Sequence, residues 1–144
     1  MSGCGCYAVC YKVESPLALQ IGKLGLMEFE PGHYAYVGSA KVNMQARVDR
    51  HARKEKKLRW HVDYFSTCAE HVETYCFFTS QNLECVLAEH LATRCRESSE
   101  RFGCSDCRCK SHLFCFESPE QMRGALKEFH SPNVRLVLNS GPTP

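Results

Sequence analysis

The chain lacks any run of about 18 apolar residues, so the sequence predicts no transmembrane helix. Residues 1–9 also lack the basic start and apolar stretch of a signal peptide. Internal repeats and low-complexity linkers are absent as well, and 144 residues fit one compact domain. These absences predict a single-domain protein that is cytoplasmic or otherwise intracellular, with no membrane partner.

A large excess of one charge sign is also missing, because the formal net charge is only +2. The cations are nevertheless unevenly spread. Segment 41–59 contains eight of the eighteen basic residues, namely Lys41, Arg47, Arg50, Arg53, Lys54, Lys56, Lys57 and Arg59. A patch of this density attracts a polyanion and gives salt-dependent affinity. The alternative interpretation is a solvated helix face without a partner.

Cysteine, in contrast, is abundant, with eleven residues in the chain. In a reducing compartment these side chains should be mostly thiols rather than a disulfide framework. Several lie where the pattern calls for small apolar residues, and these are predicted to be buried hydrophobes: Cys6, Cys10, Cys76, Cys85 and Cys95.

The polar and apolar pattern predicts one α+β domain with a small, mostly antiparallel central sheet flanked by helices. Strands are predicted over 6–13, twice within 17–30, and over 33–38, 71–78, 112–116 and 134–138. Helices are predicted over 44–54, 83–94 and 119–129, and residues 60–65 are either helical or a structured loop. Residues 1–138 then form the domain, and 139–144 form a flexible tail.

Details of the helices follow from the same pattern. Asn43, Asn82 and Ser118 are the predicted N-caps of the three helices, because their side-chain oxygens can accept from free backbone amides. In the second helix, the predicted core face consists of Leu83, Val86, Leu87 and Leu91.

Four short features together carry chemistry. Gly5-Cys6-Tyr7 opens the first predicted strand, and Tyr36-Val37-Gly38 closes a later one. The following helix places Arg47 and His51 four residues apart on one face. Glu84 lies near the start of the next helix. Hydrolysis of a phosphodiester needs a base for water, charge neutralisation at phosphate and help for the leaving oxygen.

This ordered set resembles the GIY-YIG nuclease superfamily, in which a G-x-Y strand pairs with a Y-x-G strand and a helix supplies an arginine. Stretches 22–25, 32–40, 50–51, 60–64 and 105–113 are similar to its Uri-type branch of small single-domain members. The resemblance implies a metal-dependent endonuclease that acts on DNA in repair or processing and selects structure rather than sequence. The alternative is a non-catalytic nucleic-acid-binding module with the same fold. The oligomeric state stays open.

The resemblance implies that Tyr7, Tyr36, Arg47 and His51 are catalytic and that Glu84 binds Mg²⁺ or Mn²⁺. Arg47 offers a permanent cation whose fork fits phosphate oxygens, and Glu84 offers a hard oxygen ligand. Tyr36 would take a proton from water, provided that a cation lowers its pKa. His51 would orient the nucleophile or contact phosphate.

One departure from the superfamily pattern concerns that cation. Ser39 stands where many relatives carry a lysine, and Lys41 or His51 is the candidate substitute. Glu89 is the second candidate metal ligand after Glu84. The residues predicted to contact nucleic acid are Lys41, Arg50, Arg53, Lys54, Lys57, Arg59, Trp60 and His61, with core packing as the alternative for the last two.

A second candidate metal site lies in a cysteine-rich loop, with Cys104, Cys107, Cys109 and His112 in the spacing C-x2-C-x-C-x2-H. Three thiolates and one imidazole can close a tetrahedral Zn²⁺ site. All four lie within nine residues, however, whereas structural zinc sites usually join two separated pairs. The favoured alternative is a packed turn in which Ser105 and Asp106 hydrogen-bond the backbone.

Overall fold

The computed structural model describes residues 3–104 and 107–139 of the chain. Over these residues the strands are β1 (Gly5–Val13), β2 (Leu17–Ile21), β3 (Gly25–Phe29), β4 (Gly32–Ala40), β5 (Glu70–Phe78), β6 (Glu97–Ser98), β7 (Leu113–Phe116) and β8 (Arg135–Asn139). The α-helices are α1 (Met44–Ala52), α2 (His61–Ser66), α3 (Glu84–Ala92) and α4 (Pro119–Glu128), and Gly22–Leu24 forms a 3-10 turn.

Six strands form one antiparallel sheet in the order β6-β7-β4-β1-β5-β8, and β2 and β3 form a separate hairpin. β1 lies inside the sheet, where it pairs with β4 and β5. In the pairing of β1 with β4, Tyr7 is opposite Gly38 and Gly5 is opposite Ala40. The predicted α+β class with an antiparallel sheet and flanking helices is confirmed.

Both faces of the sheet are covered. Successive side chains of a strand point to opposite faces, and β1 sends Tyr7, Val9 and Tyr11 into one core and Cys6, Ala8 and Cys10 into the other. The first core also contains residues of α1 and α2, and the second contains residues of α3 and α4. Tyr36 shares the first core with Tyr7, so both tyrosines face α1 and α2.

Two of the three predicted N-caps are confirmed. The side chain of Asn43 accepts a hydrogen bond from the Ala46 amide, and that of Ser118 accepts one from the Gln121 amide, as predicted. Asn82 is not a cap, because α3 begins at Glu84 with Leu83 at the N-cap position and no side-chain cap bond.

The core face of α3 also differs from the prediction. Val86 is 50% exposed, whereas Leu87, Ala88 and Leu91 are buried. Each residue turns the helix by about 100°, so a face centred on Leu87 and Leu91 leaves Val86 outside it.

The remaining differences lie at element ends and among the cysteines. β4 continues through Gly38 to Ala40, and Asn139 belongs to β8, so the predicted tail boundary was one residue early. Residues 140–144 lie outside the described residues. All eleven cysteines are free; Cys6, Cys10 and Cys76 are buried as predicted, but Cys85 is exposed and Cys95 is only half-buried. Among the described residues, no helix is long and apolar enough to cross a membrane.

Candidate active site

A cavity of about 260 Å³ brings together three of the four predicted catalytic side chains, Tyr7, Tyr36 and Arg47, with the predicted metal ligand Glu84. It is lined by Tyr7, Tyr36, Gly38, Ser39, Arg47, Arg59, Trp60, His61, Glu84 and Gly103. These residues come from β1, β4, α1, the start of α2, the start of α3 and the loop before β7. Segments far apart in sequence therefore meet in one polar cavity.

The two tripeptides meet through Tyr7 and Gly38. They are opposite one another in the sheet, and a Cβ at Gly38 would lie 2.5 Å from the Tyr7 hydroxyl and 2.6 Å from Cζ. Gly38 therefore makes room for the ring of Tyr7, which fills the space that a side chain would occupy. The Tyr7 hydroxyl in turn lies 2.9 Å from Nε2 of His51.

Tyr36 is 8% exposed, and its ring packs edge-on against Phe102 and His51. Gly103, in the left-handed region with φ 74°, brings the loop against this ring, because a Cβ there would lie 3.1 Å from Tyr36 Cε1. Burial, followed by the negative charge of Glu84, raises the pKa of Tyr36, and Arg47 offsets only part of this increase. Tyr36 is therefore a neutral phenol at neutral pH, and the prediction that a cation lowers its pKa was wrong.

The side chain of Arg47 is held by the backbone carbonyl of Ser39 and by the ring of Trp60. Its Nη1 donates to the Ser39 carbonyl over 2.9 Å, and its guanidinium lies 5.1 Å from the centre of the Trp60 ring. The guanidinium groups of Arg50 and Arg59 lie 4.5 and 5.6 Å from the same ring. Such contacts orient a cation without neutralising it, so Arg47 still offers its charge to the cavity.

Glu84 is held by two polar side chains. The Ser39 hydroxyl donates to Oε1, and Nδ1 of His112 lies 3.0 Å from Oε2. Burial raises the pKa of Glu84, but the hydrogen bonds from His112 and Ser39 outweigh this effect, so its pKa is lowered overall. Glu84 is thus an ionised carboxylate that faces the cavity. Ser39, at the position where a lysine was expected, orients this carboxylate instead of supplying a cation.

The family assignment rests on the same part of the chain. The match to the family described as "Domain of unknown function DUF123" covers residues 6–134, which include every residue that lines the cavity. The chain belongs to the DUF123 family. No curated protein and no solved structure matched the chain. The description of DUF123 names no activity, so the cavity itself must carry any argument about function.

His51, Lys41 and Glu89 do not line the cavity of this DUF123 chain. His51 is 1% exposed and sits behind Tyr7, where burial lowers its pKa to about 3. It positions the hydroxyl of Tyr7 and does not line the cavity. Lys41 is exposed and Glu89 is exposed, and neither lines the cavity. Neither Lys41 nor His51 therefore replaces the missing lysine.

The predicted nucleic-acid-binding residues fall into three groups. Arg59, Trp60 and His61 line the cavity. Lys41, Arg53, Lys54 and Lys57 are exposed and lie outside it. Arg50 has a structural role, because its guanidinium donates two hydrogen bonds of 2.8 and 2.9 Å to the fully buried Asp63.

Asp63 was not singled out from the sequence, yet it organises this side of the cavity. In addition to Arg50, it accepts hydrogen bonds from the backbone amides of Arg59 and Trp60. These bonds fix the start of α2 and hence Trp60. Asp63 lies three residues after the N-cap residue Trp60, which is the position of the carboxylate in a helix capping box. This spacing was the sequence signal that could have identified Asp63.

His61 has a defined tautomer. Its Nδ1 accepts a hydrogen bond of 2.9 Å from the Gly103 amide, so the ring proton resides on Nε2. Burial also lowers the pKa of His61. A neutral imidazole with one N–H donor therefore lines the cavity beside Tyr36 and Arg59.

A separate cluster of Cys85, Cys107, Cys109 and His112 could hold a metal ion, since their ligand atoms all lie within 4.8 Å of one another. The predicted set is corrected at one position. Cys104 does not belong to the cluster, and its thiol donates to the Phe102 carbonyl. Cys85, predicted to be buried in the core, takes its place from the first turn of α3. Ser105 and Asp106 of the alternative packed turn lie outside the described residues.

Proposed function

We propose that this DUF123 chain is a GIY-YIG-type endonuclease that hydrolyses phosphodiester bonds in DNA. The observation that carries the proposal is the cavity that unites Tyr7, Tyr36, Arg47 and Glu84 from four elements. The resemblance implied a role for each of them, and together they supply hydroxyl groups, a cation and a carboxylate. The rest of the cavity wall adds Arg59, and a polyanionic substrate suits this excess of cations over the single carboxylate.

The donor set at Glu84 fits Mg²⁺ or Mn²⁺. Its carboxylate is ionised and faces the cavity, and each oxygen keeps a lone pair beyond the one used by Ser39 or His112. One carboxylate suffices for Mg²⁺, which keeps several waters and also takes substrate oxygens, and the cavity has room for them. When bound, the ion supplies charge neutralisation at the phosphate and activates water.

The residues of the chain itself would each have a distinct role in the reaction. Arg47 binds a non-bridging phosphate oxygen, because Trp60 and the Ser39 carbonyl already hold its guanidinium in place. The hydroxyl of Tyr36 orients the attacking water by hydrogen bonding. Tyr7 donates its hydroxyl proton to the phosphate, in the tautomer of His51 whose Nε2–H donates to the Tyr7 oxygen. His61 offers its Nε2–H to an oxygen of the scissile group, and Trp60 offers a face on which a base can stack.

A cleavage assay tests the proposal. The purified chain is incubated with Mg²⁺ or Mn²⁺ and a panel of single-stranded, duplex, flap and branched DNA substrates. We expect cleavage of at least one substrate, and a loss of about 100-fold or more for Glu84→Gln. Glu89→Gln is the matched control, since Glu89 lies on the same helix but outside the cavity, and it should cleave like the wild type.

The competing proposal is a nucleic-acid-binding module without activity, which the exposed cations Lys41, Arg53, Lys54 and Lys57 favour. It predicts salt-sensitive DNA binding by the wild type and no cleavage of any substrate in the panel. Equal cleavage by wild type and Glu84→Gln would also refute the nuclease proposal, because the activity would then not depend on the cavity.

A further inference from the structure

We propose that Cys85, Cys107, Cys109 and His112 bind one Zn²⁺ and that this ion, through His112, positions Glu84 in the cavity. The first part stands on the geometry of the four side chains. The second part rests on the proposed function, because it gives the carboxylate of Glu84 a role in catalysis.

The four ligand atoms are close enough for one tetrahedral ion. Bonds of about 2.3 Å to sulfur and about 2.0 Å to nitrogen place a sulfur and a nitrogen ligand about 3.5 Å apart. Sγ of Cys107 lies 3.4 Å from Nε2 of His112, and every ligand atom of the cluster lies within 4.8 Å of the others. Two sulfur ligands of a tetrahedral ion lie about 3.8 Å apart, so the remaining pairs close by about 1 Å at most to complete the tetrahedron.

The types of ligand in the cluster favour Zn²⁺ rather than the Mg²⁺ or Mn²⁺ proposed for the cavity. Three thiols and an imidazole are soft or borderline ligands, and three cysteines with one histidine form an ordinary structural zinc set. Mg²⁺ prefers oxygen and would not be held there. The cluster also joins two separated segments, because Cys85 lies on α3 whereas the other three precede or adjoin β7. The ion would thus tie the cysteine-rich loop to α3.

His112 is oriented as a ligand by its other ring nitrogen. It is 1% exposed, and Nδ1 lies 3.0 Å from Glu84 Oε2 and 3.2 Å from the Val37 carbonyl. Both neighbours are acceptors, so Nδ1 carries a proton and Nε2 directs a lone pair toward the thiols. A histidine that ligates a metal usually donates its second N–H to a carboxylate or a carbonyl, which fixes the ring.

The same hydrogen bond connects the two sites. Glu84 is the carboxylate that supports His112 and is also the carboxylate that faces the cavity. Cys85 is its neighbour in the first turn of α3. Zinc at the cluster would therefore hold both the helix start and the imidazole against which the carboxylate rests. The hydrogen bond constrains both groups: zinc-bound His112 would hold the carboxylate of Glu84, and Glu84 would in turn fix the ring of His112 as a positioning residue.

Metal analysis tests the zinc site without any nucleic acid. The reduced 144-residue chain is equilibrated with Zn²⁺, dialysed and analysed for bound metal. We expect one equivalent in the wild type, one in Cys104→Ser and almost none in Cys85→Ser. This pair of variants separates the cluster seen in the structure from the set predicted by spacing alone. A wild type without zinc, or a Cys85→Ser protein with as much zinc as the wild type, would overturn the site.

Thiol alkylation of the wild type tests the zinc site even if the Cys85→Ser variant does not fold. Bound Zn²⁺ should protect Cys85, Cys107 and Cys109 from a maleimide, while the exposed Cys68 reacts with or without the metal. Labelling of the three cysteines that is unchanged by Zn²⁺ would contradict the proposal.

The link to Glu84 has its own readout. Glu84→Gln should still bind one equivalent of zinc but with about 10- to 100-fold weaker affinity, as for other supporting carboxylates, and Glu89→Gln should match the wild type. Unchanged affinity in Glu84→Gln would break the link. If zinc binds as expected and no DNA is cleaved, the nuclease proposal fails while the zinc site stands.

Discussion

At the scale of single residues, Gly38 shows why the second tripeptide ends in glycine. Its missing side chain leaves the space taken by the Tyr7 ring, so Gly38→Ala forces the ring away or bends β4. Overpacking of this kind costs about 1–3 kcal/mol, and urea denaturation should show that loss. Gly124→Ala is the contrasting control. It lies within α4 with nothing within 4 Å of the added Cβ, so we expect a gain of about 0.5–1 kcal/mol. Equal effects of the two substitutions would contradict this explanation.

His51 should make the stability depend on pH. Its pKa is lowered from 6.5 to about 3 in the folded chain, chiefly by burial and then by Lys56. Between these values the unfolded chain binds a proton that the folded chain does not, so the free energy of unfolding falls as the pH falls from about 6.5 toward 3. The slope from this residue is at most about 1.4 kcal/mol per pH unit. Urea titrations at several pH values should show a shallower slope for His51→Gln, and an unchanged slope would refute the assignment.

At the scale of elements, the start of α2 depends on the buried pair of Arg50 and Asp63. Asp63→Asn removes the charge that Arg50 and two backbone amides share, and breaking such a buried pair costs about 3–5 kcal/mol. Trp60 is the chain's one tryptophan, so its fluorescence reports directly on this segment. We expect a shift of its emission to longer wavelength as the residue becomes more exposed. Emission and stability equal to those of the wild type would show that Asp63 does not hold the segment.

The strands and helices could largely be read from the sequence, because periodicity and capping are local. The strand 6–13 and the caps Asn43 and Ser118 were predicted correctly for that reason. In α3 the local signal was misleading, since Asn82 resembles a cap and Val86 resembles a core residue. Tertiary packing decides which face of a helix is buried, and here it turns Val86 and Cys85 outward and Leu87 inward.

The candidate site, like the strands and helices, could be predicted from the sequence only in part. Tyr7, Tyr36, Arg47 and Glu84 were selected through a resemblance, and the structure brings them together. The contributions of Gly103 and Ser39 depend on contacts across many residues. No spacing rule could assign Ser39 to Glu84, or Cys85 to a loop more than twenty residues away in the chain.

At the scale of the whole molecule, two sites share one carboxylate. The polar cavity lies on one side of Glu84, and the cluster of three cysteines and His112 lies on the other. The antiparallel sheet makes this arrangement possible, because β4 carries Tyr36, Gly38 and Ser39 between β1 and β7. With Zn²⁺ bound as proposed, the cysteine-rich loop would support the cavity through His112 and Glu84.

The proposed hydrolysis of phosphodiesters in this cavity is tested most directly by single-turnover cleavage with Mg²⁺ beside a measurement of DNA affinity. For Tyr36→Phe we predict a rate about 100-fold or more below that of the wild type, with the dissociation constant for DNA nearly unchanged, because the lost hydroxyl orients water and carries no charge. Equal cleavage rates for the two proteins, or a wild type that binds DNA and never cuts it, would contradict the claim.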